Sequence, residues 1–327
     1  MKQQVWIGLL MALLPATMMA QPASQPASWP TSSIRVIVPY PPGSSGDTIV
    51  RRLAPLIAGK LGGTVFVDNR PGANGHLAVE VVKNAAPDGY TVLLGSDIQF
   101  SISPVLYSKL PFDAERDFKP VGPLARIDLV MVSNRNFKAS TIQELVTLAR
   151  AEPGKFTYAS TGIGSSHQLY MELFKIRNGI DILHVPYKGT GQAAPDIISG
   201  QVDLMFFGSA QAISGVEGGQ IKALGVGTLK RLERLPQVAT IAESGTPDFA
   251  ANNIWGVWAP AGVPDAYVER LRGAITESLA DPEIRKWYRD SALTTMDGGA
   301  DEMTKAIRDQ RAKWADVIKA ANIKPLE

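Results

Sequence analysis

The chain has 327 residues, 45% of them apolar, with 33 Lys and Arg against 31 Asp and Glu for a formal charge of +2. It contains no cysteine, which excludes a disulfide framework, thiolate metal sites and a lipid-modified cysteine after a leader. No run of Lys or Arg forms a stripe, so nucleic acid and anionic membrane are poor partners.

Residues 1–20 read as a signal peptide: Lys2 is the charged start, 5–14 an apolar run too short to span a bilayer, and Ala20 a small residue at the cleavage site. The Pro/Ala/Ser tract 21–33 reads as a disordered linker. The mature chain of about 300 residues is long enough for two domains.

Repeated strand–turn–helix units come next. Residues 34–40 are a β-branched apolar run, and 48–61 a helix that contains Pro55, so a kink is expected there. Strands at 65–67 and 90–94 enclose a turn cluster at 70–75 and a helix at 76–86. A second series starts with a strand at 129–132 and a helix ending at Arg150, with Ser140 and Gln143 as its capping box. Strands at 156–159, 182–185, 202–207 and 223–227 alternate with helices at 168–176 and 193–199, and the series closes around 249–253. A strand at 254–259 and helices at 265–280, 282–291 and 301–321 complete the chain. This order predicts an α/β fold of parallel strands with crossover helices.

Two Gly/Ser-rich turns stand between strand and helix: Pro41-Pro42-Gly43-Ser44-Ser45-Gly46-Asp47 and Ser160-Thr161-Gly162-Ile163-Gly164-Ser165-Ser166-His167. Such a turn exposes unpaired N–H groups at the positive end of a helix dipole, where an anion is favoured. Together they could grip the two ends of one small carboxylate, which points to a binder rather than a catalyst. Candidate ligand-binding residues are therefore Tyr40, Pro42, Gly43, Ser44, Ser45, Gly46 and Asp47 on the first turn. On the second they are Ser160, Thr161, Gly162, Gly164, Ser165, Ser166 and His167, with Phe207 as a candidate stacking surface. Each has a structural alternative. Asp47 would repel a carboxylate and suits its own loop's N–H groups better; His167 either donates to the anion or caps a helix; Tyr40 and Phe207 enter the cleft or pack in a core. His76 and His184 read as structural, and no metal ligand set or cofactor motif is present.

The chain resembles the extracytoplasmic solute receptors of tripartite tricarboxylate transporters, the Bug-type family. The resemblance rests on Ile34-Arg35-Val36-Ile37-Val38-Pro39-Tyr40-Pro41-Pro42-Gly43, Asp68-Asn69-Arg70-Pro71-Gly72, Ala86-Pro87-Asp88-Gly89-Tyr90-Thr91, His184-Val185-Pro186-Tyr187-Lys188-Gly189 and Ala259-Pro260-Ala261-Gly262, in that order. It implies a Venus-flytrap periplasmic-binding-protein fold, with 34–128 and 254–327 as lobe 1, 129–253 as lobe 2 and a ligand cleft between them. It further implies a periplasmic monomer, not lipid-anchored, that delivers a small organic carboxylate to a two-component membrane permease. Where relatives commonly carry a second Gly, an Asp-Asn pair and a Leu, this chain has Ser44, Phe207-Gly208 and Trp258. The missing Asp removes a partner for a substrate ammonium, so the expected ligand is a carboxylate without an amino group, with aromatic acids among the options.

No Gly-x-Ser-x-Gly elbow, His-Glu-x-x-His or Gly-x-Gly-x-x-Gly fingerprint occurs, so a secreted hydrolase or dehydrogenase is disfavoured and no enzyme activity is expected. A receptor that signals to a membrane protein would use the same cleft and stays open as an alternative.

Overall fold

The computed structural model describes residues 29–327. The predicted signal segment and residues 21–28 lie outside them. From Trp29 onward the linker reading fails. Trp29 is buried, stacks on the Tyr267 ring at 4.9 Å and donates its indole N–H to the Asp88 carbonyl at 3.0 Å. One aromatic side chain carries enough apolar area to pin residues 29–33 to the fold although their composition looks loose.

The first series is β1 (Ile34–Val38), α1 (Ser45–Leu61), β2 (Val65–Asn69), α2 (His76–Lys83), β3 (Thr91–Ser96) and the short α3 (Ser103–Leu106). Crossover helices make β1 parallel to both β2 and β3. Helix α1 runs unbroken with Pro55 inside it. The second series opens with the 17-residue β4 (Phe118–Asn134) and continues through α4 (Ile142–Ala151), β5 (Thr157–Ser160), α5 (Ser166–Asn178) and β6 (Leu183–Pro186). It ends with α6 (Thr190–Ser199), β7 (Leu204–Gly208), α7 (Ser209–Glu217) and β8 (Ile221–Val226). Finally come β9 (Asn252–Pro260), α8 (Asp265–Leu279), α9 (Pro282–Asp290), β10 (Leu293–Thr294) and α10 (Gly299–Ala320).

Strand β4 divides the molecule into two α/β lobes. Up to Asp128 it pairs antiparallel with β9; from Leu129 onward it pairs with β7 and β8. Its first half is hidden from a periodicity search because Pro120 and Pro123 interrupt the apolar run. The register against β9 shifts next to each proline, absorbing the absent N–H donors. The capping box of α4 also sits one residue later than expected: Thr141 Oγ1 accepts the Glu144 N–H, and the Glu144 carboxylate accepts the Ser140 N–H at 2.6 Å.

Helices cover both sheet faces of each lobe, so the inner strands β1, β3, β5 and β7 are buried on both sides, whereas the edge strands β2 and β6 stay partly exposed. Helix α10 serves both lobes rather than completing the first alone. Met303 and Ile307 pack with Ile37, Leu93 and Trp258, whereas Trp314, Val317 and Ile318 pack with Tyr170, Phe206 and Phe249. Ile102 and Leu106 of the first series join that second core, and Leu326 N–H closes onto the Leu106 carbonyl.

Candidate functional site

The first turn is shaped from within. Gly43 takes a left-handed φ of +82°, which lets the chain fold back after Pro42. Ser44 caps α1, its hydroxyl accepting the Asp47 N–H at 3.4 Å. The buried Asp47 carboxylate accepts from Gly43 N–H at 2.8 Å, Arg51 at 2.9 and 3.0 Å and Asn69 at 2.9 Å. Burial would raise its pKa, but Arg51 and the Gly43 and Asn69 donors outweigh it and hold the carboxyl below its ordinary range. Of the two roles open to Asp47, the structure places it in the loop-shaping one. Gly46 lies directly against Trp255, where an added Cβ would overlap the ring. Tyr40 tilts on the same indole at 4.9 Å and bonds Ser96 and Gln99, with burial pushing its phenol up to about 12.

The second turn spends most of its polar groups on itself. Ser160 is fully buried, bonded to His184 Nε2 at 2.6 Å and to the Gly162 carbonyl, so this Ser–His contact is a structural pin. Ser165 caps α5 and donates to the Gly162 carbonyl at 2.7 Å; Gly164 N–H goes to Gln168 Oε1. Thr161 holds His167 through Nδ1 at 3.0 Å. Burial pushes the His167 imidazole down to about 4, so it is neutral at pH 7.

Between the lobes lies a cavity of about 380 Å³. Gly43, Ser45, Thr48 and Ile49 line it from α1 and its loop, and His167 from α5. Thr190 of α6 and Gly208, Ser209, Ala210 and Gln211 at the start of α7 close the second-lobe side. Ile127, Leu129, Asn253 and Trp255 come from the β4–β9 crossing, Trp287 from α9, Ser291 from its C-terminal end and Leu293 from β10. Four helices thus start at one cavity. The N–H groups of a first turn lack intrahelical acceptors, and each terminus carries roughly half a positive charge. No Asp, Glu, Lys or Arg is among the described residues that line the cavity. The surface offers N–H groups, hydroxyls, a neutral imidazole and two indoles, a set that solvates an anion without a counter-charge.

Of the residues singled out in the sequence, Gly43, Ser45 and His167 line this cavity, and the remaining turn residues shape the loops that present them. Phe207 is corrected to a core residue. Phe206 and Phe207 point to opposite sheet faces, each into a different core, and the cavity meets the strand end at Gly208 instead. Trp258 is likewise buried, stacked on Phe100 at 4.1 Å; its neighbour on the cavity is Trp255. Sequence reading missed Trp255, Trp287, Asn253 and the α7 terminus. The Gly208-Ser209 pair after a buried strand was the available signal for the last. Among the described residues no group of His, Asp and Glu is placed to hold a metal ion, and no helix is long and apolar enough to cross a membrane.

The family model described as tripartite tricarboxylate transporter family receptor matches residues 49–323. The periplasmic binding protein BugD is similar at 30% identity and a TM-score of 0.80, over 90% of this chain and 99% of its own. A protein of R. palustris solved with adipate is 29% identical at a TM-score of 0.83, covering 91% and 100% of the two chains. MatC from Rhodopseudomonas palustris, solved with malate, is 27% identical at 0.79, covering 89% and 100%.

Proposed function

We propose, for a chain that belongs to the tripartite tricarboxylate transporter receptor family, that the inter-lobe cavity captures a small organic carboxylate without an amino group. The protein would then present that acid to a two-component membrane permease. The observation that carries the reading is the convergence of the α1, α5, α6 and α7 N-termini on a cavity whose described lining has no ionised side chain. Four half-charges amount to about two, the charge of a dicarboxylate. An ammonium group would meet no carboxylate in that lining, and the acid's apolar body finds Trp255, Trp287, Leu129 and Leu293. Adipate and malate in the structural neighbours support the class.

Residues 34–128 and 254–327 are taken as the lobe that holds the first turn, and 129–253 as the lobe that closes on it. The exported chain acts in the periplasm, as the BugD likeness and the N-terminal segment support. Each charge-assisted hydrogen bond contributes about 1.5–3 kcal/mol net, so a handful suffice for micromolar affinity.

A thermal-shift screen of residues 21–327 tests this against aliphatic dicarboxylates, aromatic acids and acidic amino acids. A ligand at about a thousand times its Kd adds about 4 kcal/mol, a rise of several degrees in Tm. Stabilisation by acidic amino acids but not by their deaminated analogues would overturn the assignment.

A further inference from the structure

Asn253, the second residue of β9, lines the cavity and touches both lobes. Its Nδ2 donates to Asp97 at 3.1 Å, just after β3, and to Ser166 Oγ at 2.8 Å, at the start of α5. Both N–H bonds of the amide are thereby spent. Among the described residues Oδ1 has no protein partner, and it is not a buried orphan. Asp97 is fully buried, and among the described residues no Lys or Arg hydrogen-bonds its carboxylate.

We propose that Asn253 is a proton-switched positioning residue: it shows the cavity an acceptor when Asp97 is ionised and a donor when Asp97 is neutral. The inference rests on the carboxylate reading of the cavity for its consequence, but not for its mechanism. An ionised carboxylate only accepts, so Asn253 must aim Nδ2 at Asp97 and leave Oδ1 for the cavity. That oxygen repels a ligand carboxylate. A proton taken from solvent onto Asp97 creates an O–H donor. The amide then turns over, Oδ1 accepts from Asp97 and from the Ser166 hydroxyl, and Nδ2 faces the cavity. Ser166 serves either orientation because a hydroxyl both donates and accepts. No covalent bond changes apart from the one O–H formed on Asp97 by the bound proton.

The groups facing Asp97 set where the switch operates. Lys313 of α10 holds its ammonium over the rings of Tyr170 at 4.9 Å and Trp314 at 4.1 Å. Tyr170 of α5 donates its phenol to the Asn252 carbonyl at 2.7 Å, and Tyr40 approaches from the end of β1. His167 adjoins Ser166. Burial raises the Asp97 carboxyl, with Asn253 and Lys313 pulling it partly back, to about 7. Binding of a carboxylate is therefore accompanied by proton uptake near neutral pH.

Two measurements on residues 21–327 decide it. The first needs no ligand: NMR of the Asp97 carboxyl carbon and the Asn253 side-chain amide from pH 5 to 9. Both signals should move with one midpoint, and an Asn253 amide indifferent to the Asp97 titration overturns the switch. The second is calorimetry with adipate as probe. Affinity should tighten about tenfold from pH 8.5 to 5.5, corresponding to a one-unit rise of the Asp97 midpoint on binding. Asp97→Asn should abolish that slope, whereas His167→Gln should leave it. A slope that survives Asp97→Asn and vanishes in His167→Gln moves the proton to His167 and refutes the role of Asn253. Coupled NMR signals with no heat from adipate leave the switch standing and count against the carboxylate reading.

Discussion

At Gly46 a hydrogen in place of a side chain lets the first turn of α1 lie directly against Trp255. Gly46→Ala drives a methyl into a ring that Tyr40 also packs on, and should cost about 1–3 kcal/mol in urea unfolding. Gly59, in the same helix with open space within 4 Å of where a methyl would stand, is the internal contrast: Gly59→Ala should stabilise by about 0.5–1 kcal/mol. His167 gives a pH signature. Its folded pKa of about 4 lies below the free imidazole value, so the unfolded chain binds the proton first as pH falls. The stability it contributes is complete above about pH 6.5 and is lost as pH drops towards 4. His76 and His184, also pushed down by burial, act in the same direction. His167→Gln should flatten part of the acid limb of stability against pH. A limb unchanged in that variant would mean that the imidazole is not desolvated in the fold.

At the scale of elements, the alternation of strand, turn and helix was legible in residue order, because β-branched runs and Gly/Ser turns are local signals. The side-chain direction at the cavity was not. A strand covered on both faces shows no alternation, so Phe206 and Phe207 look alike in sequence although they enter different cores. Trp255 and Trp258 pose the same problem three residues apart on β9, where an odd spacing puts them on opposite faces. Asn253 gives no sequence signal at all, since its role comes from meeting Asp97 and Ser166 across 156 and 87 residues. Helix α10 is the element whose loss reaches furthest. Trp314→Ala empties a fully buried site among Tyr170 and the second-lobe core and should cost about 3–5 kcal/mol. Because the same helix anchors Met303 in the first-lobe core, amide exchange should speed up in both lobes together. Acceleration confined to one lobe would show that α10 does not couple them.

For the molecule as a whole, the two lobes meet through β4, β9 and the core that α10 completes, so relative motion must occur around elements that are themselves packed. Packed elements of this kind move as units, so a closure of one lobe on the other would keep each turn's own hydrogen bonds and change mainly the groups between the lobes. The late position of α10 also bears on the order in which the chain is made. Both cores wait for residues 303–318, and Leu326 must reach back to Leu106 before the edge beside α3 is closed. A polypeptide growing from its N-terminus cannot finish burying its apolar faces until residues 303–326 have emerged. Products that stop short of α10 keep open apolar surface in both halves, the kind of surface that associates with other chains before folding is finished.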